Sequence, residues 1–467
     1  METTRSDIVV LFGATGDLAC KQLIPALFTL HRRGELHVPV IGLARSVLSD
    51  DEFRLRVRAC LMADERCRLD DGGFPEEDVD SFVRLLSYLS GDYTRPDTYK
   101  RLDQALTRFS NPLFYMAIPP DMFERVTQGI KNIYCSEQAR LVIEKPFGRS
   151  KASAQKLNQT LYRCFPEEAI FRADHFLAME SVANLMTFRF ANMFMQPLWS
   201  ARYIQHVQIH MAEDFGVAGR GSFYDRTGVV RDVVQNHLFQ VLGLLAMEPP
   251  LGTGHIIDAL HNAQLDIFRN IRPVQPGHVV FGQFEGYRQE PGVAENSNTA
   301  TWVAMRLHVD TSRWRGVPFY IRTGKCMPLT CTEATVTLRT EGLPPLDEGA
   351  TPIPNTFRFR LYPDSLIAIC AQGKRPGRTL GLESIELSAP TRTDAPATPY
   401  ERVLADAIDG NHAVFTRVAN MEAAWEIVDG ILDPRQPVHL YQRGRWGPPQ
   451  ADSILQEGDR WVLPVMS

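Results

Sequence analysis

The sequence predicts an α/β Rossmann-type dinucleotide-binding domain over residues 1–175. A larger α+β domain, built on a big and mainly antiparallel sheet, is predicted over residues 176–467. Three observations carry this prediction. The chain has 467 residues, which exceeds one ordinary compact domain. Short apolar runs alternate with helical patterns in its first part, which is typical of a parallel sheet. From about residue 176, apolar and polar residues alternate within several segments, which indicates half-buried antiparallel strands.

Composition and charge narrow the class of protein. Hydrophobic residues make up 44% of the chain and charged residues 22%, as in a globular protein with a sizeable core. The net charge is −5 without a lysine- or arginine-rich block, so we expect no nucleic-acid partner. No apolar run is long enough to cross a bilayer, so we expect no membrane partner. The eight cysteines are scattered without close CxxC pairs, which predicts reduced thiols in the cytoplasm, and neither a disulfide framework nor a metal site.

A glycine turn between a strand and a helix predicts the cofactor site of the first domain. The β-branched run at 8–12 leads into GATGDLA at 13–19, and a helical pattern begins near Asp17. Free N–H groups at such a helix end favour an anion such as a pyrophosphate, and glycines permit close approach of the backbone. Only two of the three fingerprint glycines are present, which leaves open a glycine turn of another α/β protein. The turn residues predicted to contact the cofactor are Gly13, Thr15, Gly16, Asp17 and Leu18.

Further strands of this domain are predicted at 38–44, 112–118 and 139–145. Arg45 follows the first of them, where an arginine accommodates the 2′-phosphate of NADP. We therefore expect NADP or NAD as the cofactor, with a solvated surface arginine as the alternative interpretation. Lys145 follows the last of them, at the edge where open α/β sheets bind ligands.

Alternating patterns predict the sheet of the second domain, and helical patterns flank it. A sheet of this size often forms a subunit interface, so we expect a homodimer or homotetramer. The predicted strands are 204–211, 299–309, 317–323, 334–340 and 355–361, and the predicted helices include 226–247 and 419–432.

A histidine on a strongly apolar helix is the candidate catalyst. RDVVQNH at 231–237 places Asp232 and His237 on a face that must approach something polar. A lone histidine in this setting is more often a satisfied core residue. Asp174 offers the carboxylate that would fix its tautomer and leave the other ring nitrogen free as a general base. Oxidation of a sugar hydroxyl needs such a base.

Several longer stretches identify a family. They are GATGDLA (13–19), GLARS (42–46), FYMAIPP (114–120), EKPFG (144–148), RADHFL (172–177), NLMTFRFAN (184–192), AEDFGVAGRGSFYD (212–225), RDVVQNHLFQ (231–240) and RTGK (322–325). In this order they are very specific, and along nearly its whole length the chain resembles the glucose-6-phosphate dehydrogenase family.

The resemblance implies roles for individual residues. His237 looks like the general base and Asp174 like its carboxylate partner. Glu213 and Asp232 resemble ligands of the sugar hydroxyls, and Lys145 resembles the lysine that bridges substrate and cofactor. The other implied contacts are His175 and Lys325 with the substrate, and Tyr115 and Arg45 with the cofactor.

The segment that resembles the family's phosphate pocket departs from the family pattern. Where D-H-Y-L-G-K is usual, this chain has DHFLAM, with Phe176 in place of tyrosine and Met179 in place of lysine. Near Thr330 a further basic residue is also missing. Losing two charge-assisted or polar bonds of about 1.5–3 kcal/mol predicts a hundredfold or greater loss in phosphate-ester binding.

These observations predict an NAD(P)-dependent oxidoreductase that takes hydride from a sugar carbon, with a small-molecule sugar or nucleoside lacking the usual 6-phosphate as its substrate. Three alternatives stay open. The protein is an ordinary glucose-6-phosphate dehydrogenase whose phosphate is held by His175, Lys145 and Lys325. It is a dehydratase or epimerase that uses a tightly bound NAD for transient oxidation. Or it is a non-catalytic homologue that binds the cofactor.

Overall fold

The apolar runs at the start of the chain build the first of two sheets. The computed structural model describes residues 5–69, 72–250, 255–343, 353–377, 381–390, 397–433 and 435–464. Contacts divide the chain into two units, Met1–Ala178 with Pro396–Val418, and Met179–Ala395 with Ala419–Ser467. The predicted boundary after residue 175 lies close to Ala178, but segment 396–418 differs from the prediction because it belongs to the first unit. Among the described residues, no helix combines the length and the apolarity required to cross a membrane.

The first unit contains a seven-stranded sheet in the order β15-β6-β5-β4-β1-β2-β3. All neighbours are parallel except β15, which pairs antiparallel to β6. Parallel sheets are covered by helices on both faces, and β1, β2 and β4 are buried along their whole length. The strands are β1 (Ile8–Phe12), β2 (Val40–Ala44), β3 (Leu86–Ser90), β4 (Pro112–Met116), β5 (Arg140–Glu144), β6 (Ile170–Ala173) and β15 (Phe415–Thr416).

Helices connect the strands of this unit. The longest begins at Ser49, whose side chain accepts from the Glu52 amide while Glu52 accepts from the Ser49 amide, a capping box. The α-helices are α1 (Ile24–Arg32), α2 (Asp50–Met62), α3 (Glu76–Val83), α4 (Pro96–Leu106), α5 (Phe123–Lys131), α6 (Lys151–Tyr162) and α12 (Pro399–Asp409). Short 3₁₀ turns lie at Glu65–Cys67, Pro120–Met122, Ser136–Gln138 and Glu167–Ala169.

The returning segment completes the core of the first unit. Apolar side chains of α12, including Leu404 and Ile408, join the cluster that covers α1 and β1. Arg33, which follows α1, forms a 2.8 Å ion pair with Glu401. Arg140 on β5 donates to the carbonyl of Ile408 at 2.5 Å. These contacts explain why α12 and β15 fold with a sheet whose other strands lie more than 200 residues earlier.

The second unit contains a nine-stranded sheet in the order β14-β13-β12-β11-β7-β10-β9-β8-β16. The predicted antiparallel character is confirmed, although β10 pairs parallel to β7 and β16 parallel to β8. The strands are β7 (Ile204–Ala212), β8 (Val279–Phe284), β9 (Trp302–His308), β10 (Pro318–Gly324), β11 (Cys331–Leu338), β12 (Thr356–Tyr362), β13 (Leu366–Lys374), β14 (Leu382–Pro390) and β16 (Val438–Tyr441).

The helix predicted at 226–247 is divided into three parts. Gly228 has a φ of +67°, which interrupts helix geometry near the end of α9 (Gly221–Val229), and a π-helix, Val230–Leu238, follows. The α-helices of this unit are α7 (Glu180–Ala191), α8 (Met195–Leu198), α9 (Gly221–Val229), α10 (Phe239–Ala246), α11 (Ile256–Asn270) and α13 (Val418–Val428). Its 3₁₀ turns are Pro276–His278, Tyr287–Gln289, Asp429–Ile431 and Pro449–Ile454.

The expectation that the cysteines are all reduced is wrong for one pair. Cys20 and Cys60 form a disulfide across 40 residues of sequence. Cys20 lies in a π-helical stretch, Ala19–Leu23, and Cys60 lies on α2, with 5.3 Å between their Cα atoms. The pairing depends on how these two helical segments pack, which cysteine spacing does not reveal.

Candidate active site

The glycine turn after β1 has the geometry expected of a dinucleotide cradle. Gly13 has a φ of +78°, and a Cβ there would lie 2.1 Å from the carbonyl oxygen of Ala117. The Gly16 amide donates to the Gly13 carbonyl at 2.9 Å, and helical backbone begins at Asp17, as predicted. Gly16 and Asp17 are exposed and Leu18 is half-buried. A pyrophosphate fits this arrangement, because a tight turn after the strand leads into an exposed helix N-terminus. The turn residues would hold the pyrophosphate.

Two further predicted cofactor residues flank this turn. The Thr15 hydroxyl lies 3.5 Å from that of Ser46. Arg45 follows β2, its side chain is 65% exposed, and its guanidinium lies 4.0 Å from Asp92. At that distance and exposure the pair is weak, which leaves the guanidinium available to an adenosine 2′-phosphate.

Tyr115 and Glu144 form a buried hydrogen-bonded pair at the ends of β4 and β5. The Tyr115 hydroxyl donates to Glu144 at 2.5 Å, and the tyrosine is fully buried. Burial raises the pKa of Glu144 to about 7, against the opposing effects of Tyr115 and Lys145. Glu144 is not among the predicted site residues, although a carboxylate at the end of the apolar strand RLVIE is an available signal. Lys145, the residue after Glu144, is half-buried, and the peptide bond between Lys145 and Pro146 is cis.

The DHFLAM segment follows β6. Asp174 is buried and accepts the Phe176 amide at 3.0 Å. The His175 ring stacks on Tyr400 at 6.0 Å between centroids and meets the edge of Phe176 at 5.4 Å. Phe176 is buried, whereas Met179, at the start of α7, is half-buried. Burial raises the pKa of the Tyr400 phenol, and the charges of Glu144 and Asp174 add to that effect.

Glu213 and Lys325 form an ion pair at the ends of two parallel strands of the second unit. Lys325 Nζ lies 2.5 Å from Glu213 Oε2, and the side chains are 10% and 17% exposed. The Glu213 amide donates to the carbonyl of Gly324, which joins the ends of β7 and β10. The Lys325 ammonium also lies 4.9 Å from the ring centroid of Phe215 and 5.5 Å from that of Tyr224. A predicted sugar ligand, Glu213, and a predicted substrate contact, Lys325, are therefore brought together.

Tyr224 on α9 lies beside this pair, and sequence analysis did not single it out. It is 3% exposed, and among the described residues its hydroxyl has no hydrogen-bond partner. Burial raises the pKa of this phenol well above its usual range, and the charges of Asp232 and Glu213 raise it further. The phenol is thus within electrostatic range of both predicted sugar-binding carboxylates. Its signal was its place in the GRGSFYD stretch, between the two carboxylates in the sequence.

The π-helix carries Asp232 and His237. His237 is buried, and its amide donates to Asn236 Oδ1 at 2.6 Å. Asn236 in turn donates to the carbonyl of Asp232 at 3.0 Å. In an α-helix, residues five apart point in different directions, but the wider turn of a π-helix brings Asp232 and His237 closer to one face. Asp174 and His237 belong to different units, and their pairing stays a prediction.

Comparison with known proteins supplies the family. The model of the glucose-6-phosphate dehydrogenase NAD-binding domain matches residues 10–184, and that of the C-terminal domain matches residues 186–462. This chain belongs to the glucose-6-phosphate dehydrogenase family. A family member from Mycobacterium tuberculosis, glucose-6-phosphate 1-dehydrogenase 1, is 38% identical over 465 residues, covering 98% of this chain and 97% of the relative. A cytoplasmic isoform of glucose-6-phosphate 1-dehydrogenase from Solanum tuberosum is 35% identical and covers 100% of this chain and 95% of the relative.

A solved structure of a glucose-6-phosphate dehydrogenase in complex with its substrate glucose-6-phosphate matches with a TM-score of 0.88. It is 29% identical and covers 98% of this chain and 100% of that chain. Membership in the glucose-6-phosphate dehydrogenase family confirms the predicted fold, and it confirms that the protein is an NAD(P)-dependent oxidoreductase.

Proposed function

We propose that this protein oxidises glucose 6-phosphate to 6-phosphogluconolactone with NADP or NAD. The observation that supports it is the match along the whole chain to a glucose-6-phosphate dehydrogenase solved with glucose 6-phosphate. This is the alternative that sequence analysis kept open, and the comparisons favour it over a substrate without phosphate.

The proposed mechanism assigns the proton to His237. As the bond between carbon 1 and its hydrogen breaks, His237 accepts the proton of the hydroxyl on that carbon, which becomes the lactone carbonyl. Asp174 fixes the tautomer of the imidazole and stabilises its charged form. The glycine turn would hold the pyrophosphate of NADP or NAD, and the nicotinamide of that cofactor would supply the hydride acceptor.

The ion pair of Glu213 and Lys325 suits a sugar hydroxyl. Such a hydroxyl accepts from the ammonium and donates to the carboxylate, so one group satisfies both charges. Asp232 offers a second carboxylate, which like Glu213 acts electrostatically on Tyr224. With Lys325 assigned to the sugar, we assign the phosphate to His175 and Lys145, which remain when Phe176 and Met179 replace the family's tyrosine and lysine.

We also infer a homodimer or homotetramer. Strand β14 lies at one edge of the second sheet, and its Ile385 and Leu387 are 41% and 61% exposed. A second copy of the chain would cover these apolar side chains. Sedimentation velocity of the full chain tests this inference, and a monomer mass would contradict it. We further infer a cytoplasmic location, in keeping with the named cytoplasmic relative.

The decisive experiment compares kcat/KM for glucose 6-phosphate and glucose with NADP⁺ and NAD⁺, by the absorbance of reduced nicotinamide. We expect a preference for the phosphorylated sugar of about a hundredfold or more, from two charge-assisted contacts. His237→Asn should lose turnover yet still bind the cofactor.

The DHFLAM segment favours a second candidate, an oxidoreductase acting on an unphosphorylated sugar or nucleoside. Equal or better turnover of glucose would overturn the proposal in its favour. Met179→Lys with Phe176→Tyr should then raise activity towards glucose 6-phosphate. A new product detected by its mass, with no accumulation of reduced nicotinamide, would instead indicate transient oxidation by a retained cofactor.

A further inference from the structure

The hydroxyl of Tyr224 is a buried polar group whose place in the protein is not explained by packing. Its ring belongs to an apolar cluster with Tyr287 and Phe284, and the Tyr224 and Tyr287 ring centroids lie 6.3 Å apart. A phenylalanine would fill the same space. A buried hydroxyl without a hydrogen-bond partner costs free energy relative to that phenylalanine. The hydroxyl therefore needs a partner that the described residues do not supply.

The surroundings of the hydroxyl identify the chemistry of that partner. Three charged groups act on Tyr224. The carboxylates of Asp232 and Glu213 both raise the pKa of its phenol, and the Lys325 ammonium lies 5.5 Å from the centroid of its ring. Burial and the two carboxylates keep the phenol protonated, because they raise its pKa. A protonated phenol beside carboxylates can donate to a neutral hydroxyl that itself donates to one of those carboxylates. A polyol meets this requirement.

We propose that Tyr224 binds the substrate, by donating a hydrogen bond to the sugar hydroxyl that Glu213 or Asp232 accepts from. This inference rests on the proposed function, because it names a further specificity-determining residue of the same site. Tyr224 would distinguish a sugar with that hydroxyl from its deoxy analogue, since a site built to bond a hydroxyl leaves polar groups unpaired when it is missing.

The test compares Tyr224→Phe with the unchanged chain. The variant keeps the ring and its contact with Lys325, and removes only the hydroxyl. We expect KM for glucose 6-phosphate to rise about five- to tenfold while kcat stays within about twofold, as for an interaction made equally in ground and transition states. KM for the cofactor should not change.

Tyr287→Phe is the matched control. The Tyr287 hydroxyl donates to Asp225 at 3.0 Å, so this variant loses a bond within the protein. We expect it to lower the thermal midpoint without changing KM, and Tyr224→Phe to leave the midpoint equal or higher because its hydroxyl has no partner to lose.

Deoxy substrates separate binding from structure. With the 2-, 3- and 4-deoxy analogues of glucose 6-phosphate, one analogue should give the same KM with the unchanged chain and with Tyr224→Phe. An unchanged KM for glucose 6-phosphate in the variant overturns the inference while the proposed function stands. The inference is also overturned if Tyr224→Phe raises KM by the same factor with all three deoxy analogues. Absence of glucose 6-phosphate turnover in the unchanged chain overturns the proposed function, and the inference with it.

Discussion

Glu213→Gln tests two roles of the ion pair between Glu213 and Lys325, in the stability of the protein and in the binding of the sugar. The substitution keeps the size of the side chain and an acceptor oxygen but removes the charge. In the unchanged chain, 2.5 Å separates the carboxylate from the Lys325 ammonium, and neither side chain is more than 17% exposed. The variant therefore leaves a mostly buried ammonium without its anion, which affects the stability of the free protein as well as sugar binding.

The geometry sets the expected magnitudes. A hydrogen bond to a charged group contributes about 1.5–3 kcal/mol. The rings of Phe215 and Tyr224 remain against the ammonium, and residual exposure screens the pair. We expect the free energy of unfolding to fall by about 1–2 kcal/mol. If Glu213 also accepts a bond from the sugar, KM for glucose 6-phosphate should rise by about tenfold or more.

Urea unfolding and steady-state kinetics measure these effects, and Glu290→Gln is the control. Glu290 is paired at 3.0 Å with Arg443 and is 19% exposed, so it matches Glu213 in its own exposure, although its partner is 51% exposed and the pair is therefore more screened. The control should lose a similar or smaller amount of stability with KM unchanged. An unchanged KM in Glu213→Gln would refute its assignment as a sugar ligand, and an unchanged unfolding midpoint would refute the reasoning on the ion pair.

Two further predictions concern the first unit. Since the folded-state pKa of Glu144 is raised from 4.5 to about 7, the folded protein binds an extra proton between these values. The free energy of unfolding should therefore fall as pH rises across that window, by up to about 3 kcal/mol. Urea midpoints measured at several pH values should show that Glu144→Gln removes this pH dependence. Arg45→Ala should raise KM for NADP about tenfold and leave KM for NAD within about twofold, unlike the exposed control Arg95→Ala. Equal effects on both cofactors would show that Arg45 does not read the 2′-phosphate.

Local patterns were sufficient for most of the fold. The run IVVLF with the glycines that follow it is a strand, turn and helix start in the structure, because β-branched residues and glycine restrict the backbone directly. Alternation likewise predicted β7 and β10 to within one residue at each end. Strands β13 and β14 were missed although Pro363 and Asp364 precede β13, because neither LIAICAQGK nor LESIELSAP alternates regularly between apolar and polar residues.

The site was less predictable where it depends on tertiary packing. Apolar periodicity cannot distinguish a π-helix from an α-helix, so the helix at 226–247 was predicted without the break at Gly228. The sequence signals of Glu144 and Tyr224 were weak, because the properties of both residues come from burial and from charges brought there by other elements. The bond between Cys20 and Cys60 escaped prediction for the same reason.

The return of segment 396–418 has a consequence for how the protein is made. Helix α12 and strand β15 complete the core and the edge of the first sheet, yet they are synthesised after nearly all of the second unit. During translation, residues 1–178 are therefore synthesised long before α12 and β15, and until then one sheet edge is open and an apolar face of α1 is uncovered. Exposed edges and faces of this kind are sites of aggregation and of chaperone binding. The dinucleotide cradle is encoded at the beginning of the chain, but its supporting fold can close only after the segment that ends at Val418 has been synthesised.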